Sequence, residues 1–358
     1  VLIGEPDATL LEICEAWRAG RDTVPAIAGV AHLSGNRLVR TPARQNARDL
    51  DAVPFPAWDL VDAAAYRTAW TGKHGFFSVN MVGSRGCTYA CNWCAKPIWG
   101  RAYAQRSPKN IADELAVVRQ HLAPDHIWFC DDIFGITPKW LREFDDEVNA
   151  RGLVTPYKIQ TRVNLITEET AALLKHSGCA EVWLGAESGS QKILDAMDKG
   201  STLAEIYAAR RALKSAGIKT GFFIQFGYPG ETFTEIMQTV DMIHDLLPDD
   251  IGISVSYPLP GTKFYDRVKA EMGAKTHWDH SHDLAVMHAG EYDSLFYHQL
   301  HAVLHRDLNL HLRLAAGESG PDLLQELDEV EAAWIELGRA ETLSRHTHPS
   351  RRREANAQ

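Results

Sequence analysis

The stretch Phe76-Phe77-Ser78-Val79-Asn80-Met81-Val82-Gly83-Ser84-Arg85-Gly86-Cys87-Thr88-Tyr89-Ala90-Cys91-Asn92-Trp93-Cys94 joins an apolar run, a turn and three cysteines within eight residues. The run through Gly83 reads as a buried strand, and Ser84-Arg85-Gly86 turns the chain into a loop. Three thiolates so close together can grip one compact soft-metal centre. Iron–sulfur electron carriers close their clusters with four cysteines, so three leave one iron open. An open position is what separates a catalytic metal site from a closed structural one. The competing readings are a zinc knuckle with a distant fourth ligand and three buried structural thiols. His74 and Cys130 are the nearest fourth ligands, and neither makes a familiar zinc pair with the cysteines.

Outward from this loop the pattern alternates strand and helix six times. Strands are expected at 77–84, 126–131, 156–162, 180–187, 219–226 and 250–257. Helices are expected at 108–122, 138–149, 167–176, 202–216 and 231–246, with a short one near 190–197. Ser107-Pro108 and Thr137-Pro138 each put a capping hydroxyl before a proline at the first helical position. Alternating βα units imply a parallel sheet with helices outside. Six units suit a partial (βα)6 TIM-like barrel. Residues 1–45 read as a strand end, a helix and two short strands, too little for a core of their own. A proline-punctuated connector, Asp49 to Leu60, follows, of the kind that can pack along a neighbouring domain as a semi-rigid tether. The expected fold class is therefore α/β, a partial barrel with a short N-terminal α/β remnant and a helical C-terminal extension.

Composition narrows the function. The net charge of −10 argues against a nucleic-acid surface, and the one basic run, Arg351 to Arg353, sits in a polar tail. No apolar stretch is long enough to span a bilayer. Six cysteines in 358 residues do not read as a disulfide framework, and reduced thiols fit a cytoplasmic setting. Cys14, Cys130 and Cys179 read as small core side chains. The chain opens mid-pattern at Val1, which is read as truncation. Residues 258–316 are rich in histidine: His277, His280, His282, His288, His298, His301, His305 and His311. His298, His301 and His305 would share one helix face, and packed or solvated histidines compete with a metal reading there.

In parallel α/β barrels chemistry collects at the carboxyl ends of the strands. The cysteine loop follows strand 1, and Asp131-Asp132, Arg162, Glu187, Gln225 with Gly227, and Tyr257-Pro258-Leu259-Pro260 end the other five. Asp131, Asp132 and Glu187 could accept hydrogen bonds from a ligand, and Arg162 can fork onto a carboxylate. Gly227 with Gly230 lets backbone approach a ligand closely. Each also has a plain alternative: helix capping for the aspartates, turn chemistry for Glu187, and a structural ion pair for Arg162.

The C-x3-C-x2-C spacing, with Trp93 before the last cysteine, resembles the signature of the radical S-adenosylmethionine (SAM) superfamily. Asp131-Asp132, Gly185-Ala186-Glu187-Ser188, Gly227-Tyr228-Pro229-Gly230-Glu231-Thr232 and Pro258-Leu259-Pro260-Gly261-Thr262 resemble its cobalamin-dependent class B branch. That branch includes methyltransferases and the anaerobic magnesium-protoporphyrin monomethyl ester cyclase. The resemblance implies a [4Fe–4S] cluster on Cys87, Cys91 and Cys94, with SAM on the open iron. It implies cofactor contacts from Trp93, Asp131, Asp132, Arg162, Glu187, Gln225 and Gly227. One electron from flavodoxin or ferredoxin would cleave SAM to a 5′-deoxyadenosyl radical for methylation or oxidative cyclisation of an unactivated carbon. The implied substrate is a small molecule, hydrophobic or tetrapyrrole. Gly4-Glu5-Pro6-Asp7 and Pro54-Phe55-Pro56 resemble the tail of the branch's cobalamin domain, whose remainder is missing here. Cobalamin is therefore implied by resemblance alone. The expected organisation is 1–70 remnant plus linker, 71–260 core barrel, 261–316 extension, and 317–358 helix with a disordered tail. The rivals are a cobalamin-independent, methylthiotransferase-like enzyme and a non-catalytic iron–sulfur or zinc protein.

Overall fold

A computed structural model describes residues 1–21, 26–94, 102–273 and 284–347, with side chains to 341 at its C-terminal end. His277, His280, His282, Arg351–Arg353 and the expected disordered tail lie outside these residues. Contacts divide the chain into two compact units. The first holds 1–89, 96–160 and 176–179; the second holds 90–95, 161–175 and 180–358.

The first unit opens with helix α1 (Asp7–Arg18), strands β1 (Ala31–Ser34) and β2 (Arg37–Arg40), and helix α2 (Ala63–His74). β1 and β2 form an antiparallel hairpin, and Ile13 and Ala16 of α1 pack on Ile27 and Val30. Strands β3 (Ser78–Met81), β4 (Ser84–Gly86) and β5 (Tyr103–Gln105), helix α3 (Pro108–His121), β6 (His126–Phe129), α4 (Pro138–Ala150) and β7 (Tyr157–Thr161) follow. β3, β6 and β7 pair in parallel. The caps read from the sequence are present. Ser107 Oγ accepts from the Asn110 N–H at 3.1 Å, and Thr137 Oγ1 from the Trp140 N–H at 3.3 Å. α4 buries Trp140, Leu141, Phe144 and Val148, one face of a helical repeat. Its Phe144 meets Phe129, Phe134 and Tyr157 with centroids 5.6–6.1 Å apart, at the edge-to-face angles that ring quadrupoles favour.

The second unit begins with α5 (Glu168–His176) and alternates through β8 (Cys179–Glu187), α6 (Gln191–Ala196), α7 (Leu203–Ser215), β9 (Lys219–Phe226), α8 (Phe233–Leu246) and β10 (Asp250–Val255). β8, β9 and β10 run parallel. α9 (Lys263–Val268), α10 (Ser294–Ala315) and α11 (Pro321–Thr347) complete it. α10 and α11 pack through Leu310, Leu323 and Val330, so the C-terminal extension is helical as expected. Within the units the parallel strands run in the order β3-β6-β7 in the first and β8-β9-β10 in the second. No helix among the described residues is long and apolar enough to cross a membrane.

The expected first strand, 77–84, is two elements. β3 stops at Met81, and Ser84–Gly86 leaves the sheet to pair antiparallel with Tyr103–Gln105. Backbone bonding explains the break. Gly83 N–H donates to Asp131, and Gly83 C=O accepts from the Arg106 N–H at 2.9 Å. Both polar groups of Gly83 are thereby taken from the β3 ladder. Helix α2, which no expectation covered, is capped by Asp62 and stopped by Gly75 in a left-handed conformation, φ 81°.

Candidate cluster and cofactor site

In the first unit, the base of the cysteine loop is fixed from two sides. The β4–β5 ribbon closes it just before Cys87. Beneath the ribbon lies Asp131, 1 % exposed, at the end of β6. Its Oδ1 takes the Gly83 N–H at 2.7 Å, and its Oδ2 lies 2.8 Å from Ser84 Oγ. Burial pushes this carboxyl up to about 7, against the pull of the Gly83 and Ser84 hydrogen bonds. Protonated, Asp131 donates to Ser84 Oγ, whose hydroxyl in turn donates to Ile133 C=O, 3.2 Å away. Asp131 is thus a buried clamp on the strand-to-loop turn. Asp132 beside it is exposed, the carboxylate of the pair that faces solvent. Burial also pushes the Tyr103 phenol up to about 12, with Asp131 and Cys87 adding to the effect. Arg85, between Ser84 and Gly86, pairs with Glu5 and with Asp7, the latter at 3.0 Å, tying the ribbon to the opening segment. The proline-rich connector lines a cavity of about 280 Å³ beside Arg85, with Pro54, Phe55, Trp58, Asn80 and Arg106.

In the second unit the loop's remaining cysteines are set by the residues around them. Asn92 makes a hydrogen bond with each of its four polar groups. Its N–H donates to Met197 C=O at 3.0 Å, and its C=O accepts from the Phe264 N–H at 3.0 Å. Its Nδ2 donates to Ala196 C=O at 2.8 Å, and its Oδ1 accepts from the Tyr228 hydroxyl at 2.8 Å. Trp93 packs on Ile193, Met197, Tyr228, Phe264 and Val268, and its buried Nε1 meets no partner among the described residues. The side chains that flank Asn92 and Trp93, Cys91 and Cys94, stay partly exposed, as does Cys87 in the first unit. None of these three thiols is in a disulfide.

A second network runs from β8 to Cys91. Lys199 Nζ donates to Glu187 Oε1 at 2.6 Å, with both side chains about as buried as core residues. The Lys199 carbonyl accepts from Arg162 Nη2, and Arg162 Nη1 reaches Cys91 Sγ at 3.5 Å. Arg162 Nε is held by Asn164 Oδ1 at 3.0 Å. Gly185 makes the ion pair possible. A Cβ there would stand 2.7 Å from Lys199 Nζ and 2.9 Å from Glu187 Oε1. Glu187 itself adopts a left-handed φ of 64°, a strained conformation for a residue with a side chain.

Gln225 lies at the end of β9, 4 % exposed, and its Oε1 is buried with no partner among the described residues. Nearby, Gly227 has φ 74°, and its N–H donates to Glu231 Oε2. A Cβ on Gly227 would meet the Tyr297 hydroxyl at 3.3 Å. The structure therefore brings Arg162 to Cys91 and links it through Lys199 to Glu187. It places Trp93 in an apolar cluster, Asp131 under the ribbon, and Gln225 and Gly227 at the end of β9. Asn92 and Lys199 were not read from the sequence. Lys199 could have been, because it follows Ile193, Leu194 and Met197, all with no measurable exposure, where a cation requires a partner.

The donor set fits an iron–sulfur cluster. Three partly exposed thiols share one loop, Arg162 donates to one sulfur, and hydrogen bonds to sulfur are how proteins tune such clusters. The unpartnered Gln225 oxygen fits a ligand that brings a donor, as the amine and hydroxyls of SAM do.

Comparison with known proteins agrees with this chemistry. Residues 81–243 match the radical SAM superfamily model. An uncharacterized methyltransferase of Pyrococcus horikoshii is 28% identical over 74% of this chain and 57% of its own length. The anaerobic magnesium-protoporphyrin IX monomethyl ester cyclase of Cereibacter sphaeroides is 28% identical over 76% of this chain and 45% of its own. The chain thus spans about half the length of these relatives. Among solved structures, TsrM, a radical SAM methyltransferase of Kitasatospora setae with cobalamin and a [4Fe–4S] cluster bound, has TM-score 0.63 at 22% identity, over 75% of this chain and 54% of that one. The cobalamin-dependent SAM radical enzyme OxsB, with aqua-cobalamin and SAM bound, has TM-score 0.65 at 14% identity, over 95% of this chain and 55% of that one. At these identities the two structures speak to the fold, which they share with this chain. With the cysteine spacing, the match shows that this chain carries a radical SAM domain over residues 81–243.

Proposed function

We propose that this chain is the radical-generating part of an enzyme that methylates or oxidatively cyclises an unactivated carbon. Cys87, Cys91 and Cys94 would hold a [4Fe–4S] cluster, and Trp93, Asp132, Arg162, Glu187, Gln225 and Gly227 would line the place of SAM. When bound, the cluster and SAM together supply reductive cleavage to a 5′-deoxyadenosyl radical. The chain's own residues bind, orient and exclude water. Asn92 anchors the loop between two thiols, Arg162 donates to sulfur, and Asp131 fixes the turn that precedes Cys87. The observation that carries this reading is the fourfold bonding of Asn92. It holds the peptide between Cys91 and Cys94 rigid while those thiols remain partly exposed, as ligands of a shared cluster require.

The relatives support a methyl-transfer or ring-closing outcome on a small hydrophobic or tetrapyrrole substrate. The solved structures with cobalamin bound support a corrinoid partner for this chain, and residues 1–70 would be the end of the domain that carries it. A low-potential flavodoxin or ferredoxin in the cytoplasm would supply the electron. The test is anaerobic reconstitution with iron and sulfide, then SAM and dithionite, with and without cobalamin. Iron and sulfide at about four each per chain, with 5′-deoxyadenosine formed, support the radical chemistry. S-adenosylhomocysteine that appears only with cobalamin supports methyl transfer. Cys91→Ala should abolish both products. One zinc per chain and no sulfide would reject the proposal.

A further inference from the structure

We propose that His244, Asp307 and His311 form a divalent-cation site in the second unit, of zinc type, which clips helix α8 to helix α10. His244 Nε2 lies 2.9 Å from Asp307 Oδ2, and His311 Nδ1 lies 2.9 Å from Asp307 Oδ1. One ligand atom from each of the three residues lies within 4.8 Å of the others. The two imidazoles stack with centroids 4.3 Å apart, so both present a nitrogen to the same carboxylate. Two neutral imidazole nitrogens and one carboxylate oxygen are a borderline-soft donor set that suits zinc, with water in the fourth position.

Burial and the outer contacts agree with this reading. The Asp307 side chain is 3% exposed, and the two histidines are about one-third exposed, which leaves an ion an entry from solvent. Trp334 Nε1 on α11 donates to Asp307 Oδ2 at 2.7 Å. A donor fixed on a ligating carboxylate is the outer contact that orients metal ligands. A tetrahedral ion with bonds of about 2.0–2.2 Å separates its ligand atoms by about 3.4 Å. The present 2.9 Å pairs would therefore open by about 0.5 Å, within reach of side-chain rotation. The sequence places His298, His301 and His305 on one helix face, where packed or solvated histidines compete with a metal reading. The structure instead pairs His301 with His305 by ring contact and brings His311 to a histidine from α8.

The test equilibrates the cluster-loaded protein with a zinc–chelator buffer under anaerobic conditions and measures bound zinc and iron together. One zinc should bind with iron content unchanged. His244→Gln and His311→Gln should each weaken zinc binding at least about a hundredfold, and Trp334→Phe about 10- to 100-fold. Cadmium NMR of the unaltered protein gives an answer independent of any variant. A resonance in the nitrogen–oxygen range supports the site, and one in the thiolate range alone overturns it. Zinc uptake that displaces iron, or that survives both histidine substitutions, also overturns it, as does failure to bind zinc at micromolar free metal.

Discussion

Asn92 is the residue through which this site is most open to test. Replacing it with alanine keeps its two backbone bonds and removes the amide that bridges Ala196 and Tyr228. Ala196 C=O retains the Tyr228 hydroxyl at 2.9 Å, so the loss concentrates on the loop and not on α6. The expected cost is about 1–3 kcal/mol of stability, two hydrogen bonds at a net worth of about 0.5–1.5 kcal/mol each. Cluster loading should fall further than stability does, because the loop between two ligands loosens first. Parallel urea titration and iron analysis of Asn92→Ala would separate the two effects. Equal iron content in variant and parent would refute the positioning role. At this scale the sequence disclosed the ligands and hid their supports. Cysteine spacing is a local pattern. Asn92's partners are 104 to 172 residues away, and no periodicity encodes such a contact. Asp131 shows the other limit. Its place at a strand end was legible, but its burial beneath Ser84 and Gly83 arises only when β4 leaves the sheet.

Elements were easier to read than residues, for a physical reason. Strands β6 to β10 and helices α3 to α8 each carry their own apolar repeat and end signals, such as Ser107-Pro108 and the Thr202–Glu205 capping box. The β4–β5 ribbon was missed because three residues on each side give no period, and its pairing spans the cysteine loop. Where two elements approach closely, one glycine decides the distance. Gly189 sits against α8, with its N–H on Thr239 Oγ1 at 2.9 Å. A Cβ at Gly189 would collide with Gln238 C=O and lie 2.6 Å from Thr239 Cα, and helix backbone cannot rotate away as a side chain can. Gly189→Ala should therefore cost about 3 kcal/mol or more, at or above the usual range for overpacking. Gly200→Ala is the control, since open space surrounds its missing Cβ, though its φ of 62° adds backbone strain of about 1 kcal/mol. Chemical denaturation should rank the two variants in that order. A Gly189→Ala protein as stable as Gly200→Ala would mean that α8 shifts freely, against the close packing inferred here.

The two units share an electrostatic habit that no single element reveals: each buries one carboxyl that holds its proton near neutral pH. Asp131 in the first unit is pushed up to about 7 and Glu231 in the second to about 8, chiefly by burial. Hydrogen bonds from Gly83 and Ser84 oppose the shift at Asp131, and one from Gly227 opposes it at Glu231. Among the described residues no acceptor or donor meets the buried Glu231 Oε1, so ionisation there is costly. In the unfolded chain both groups titrate near 4, and the folded state therefore binds more protons between about pH 4 and 8. The stability they contribute is complete below the unfolded value and is lost as pH rises through 7 and 8. Glu231→Gln keeps an acceptor for the Gly227 N–H and removes the charge. Variant and parent should be nearly equal at about pH 4, and the variant should be more stable by about 1–3 kcal/mol at about pH 9, the scale of an unpaired buried polar group. Asp131→Asn should show the same divergence levelling off about one pH unit lower, because its folded value is lower. Because the comparison is between variant and parent, groups that shift the other way, such as Glu235 with its folded value near 2, cancel. Urea midpoints across this range would show the curves fanning apart with rising pH. Parallel curves would mean that water reaches Glu231 and Asp131, and that the interior beside the strand ends is wetter than their burial implies.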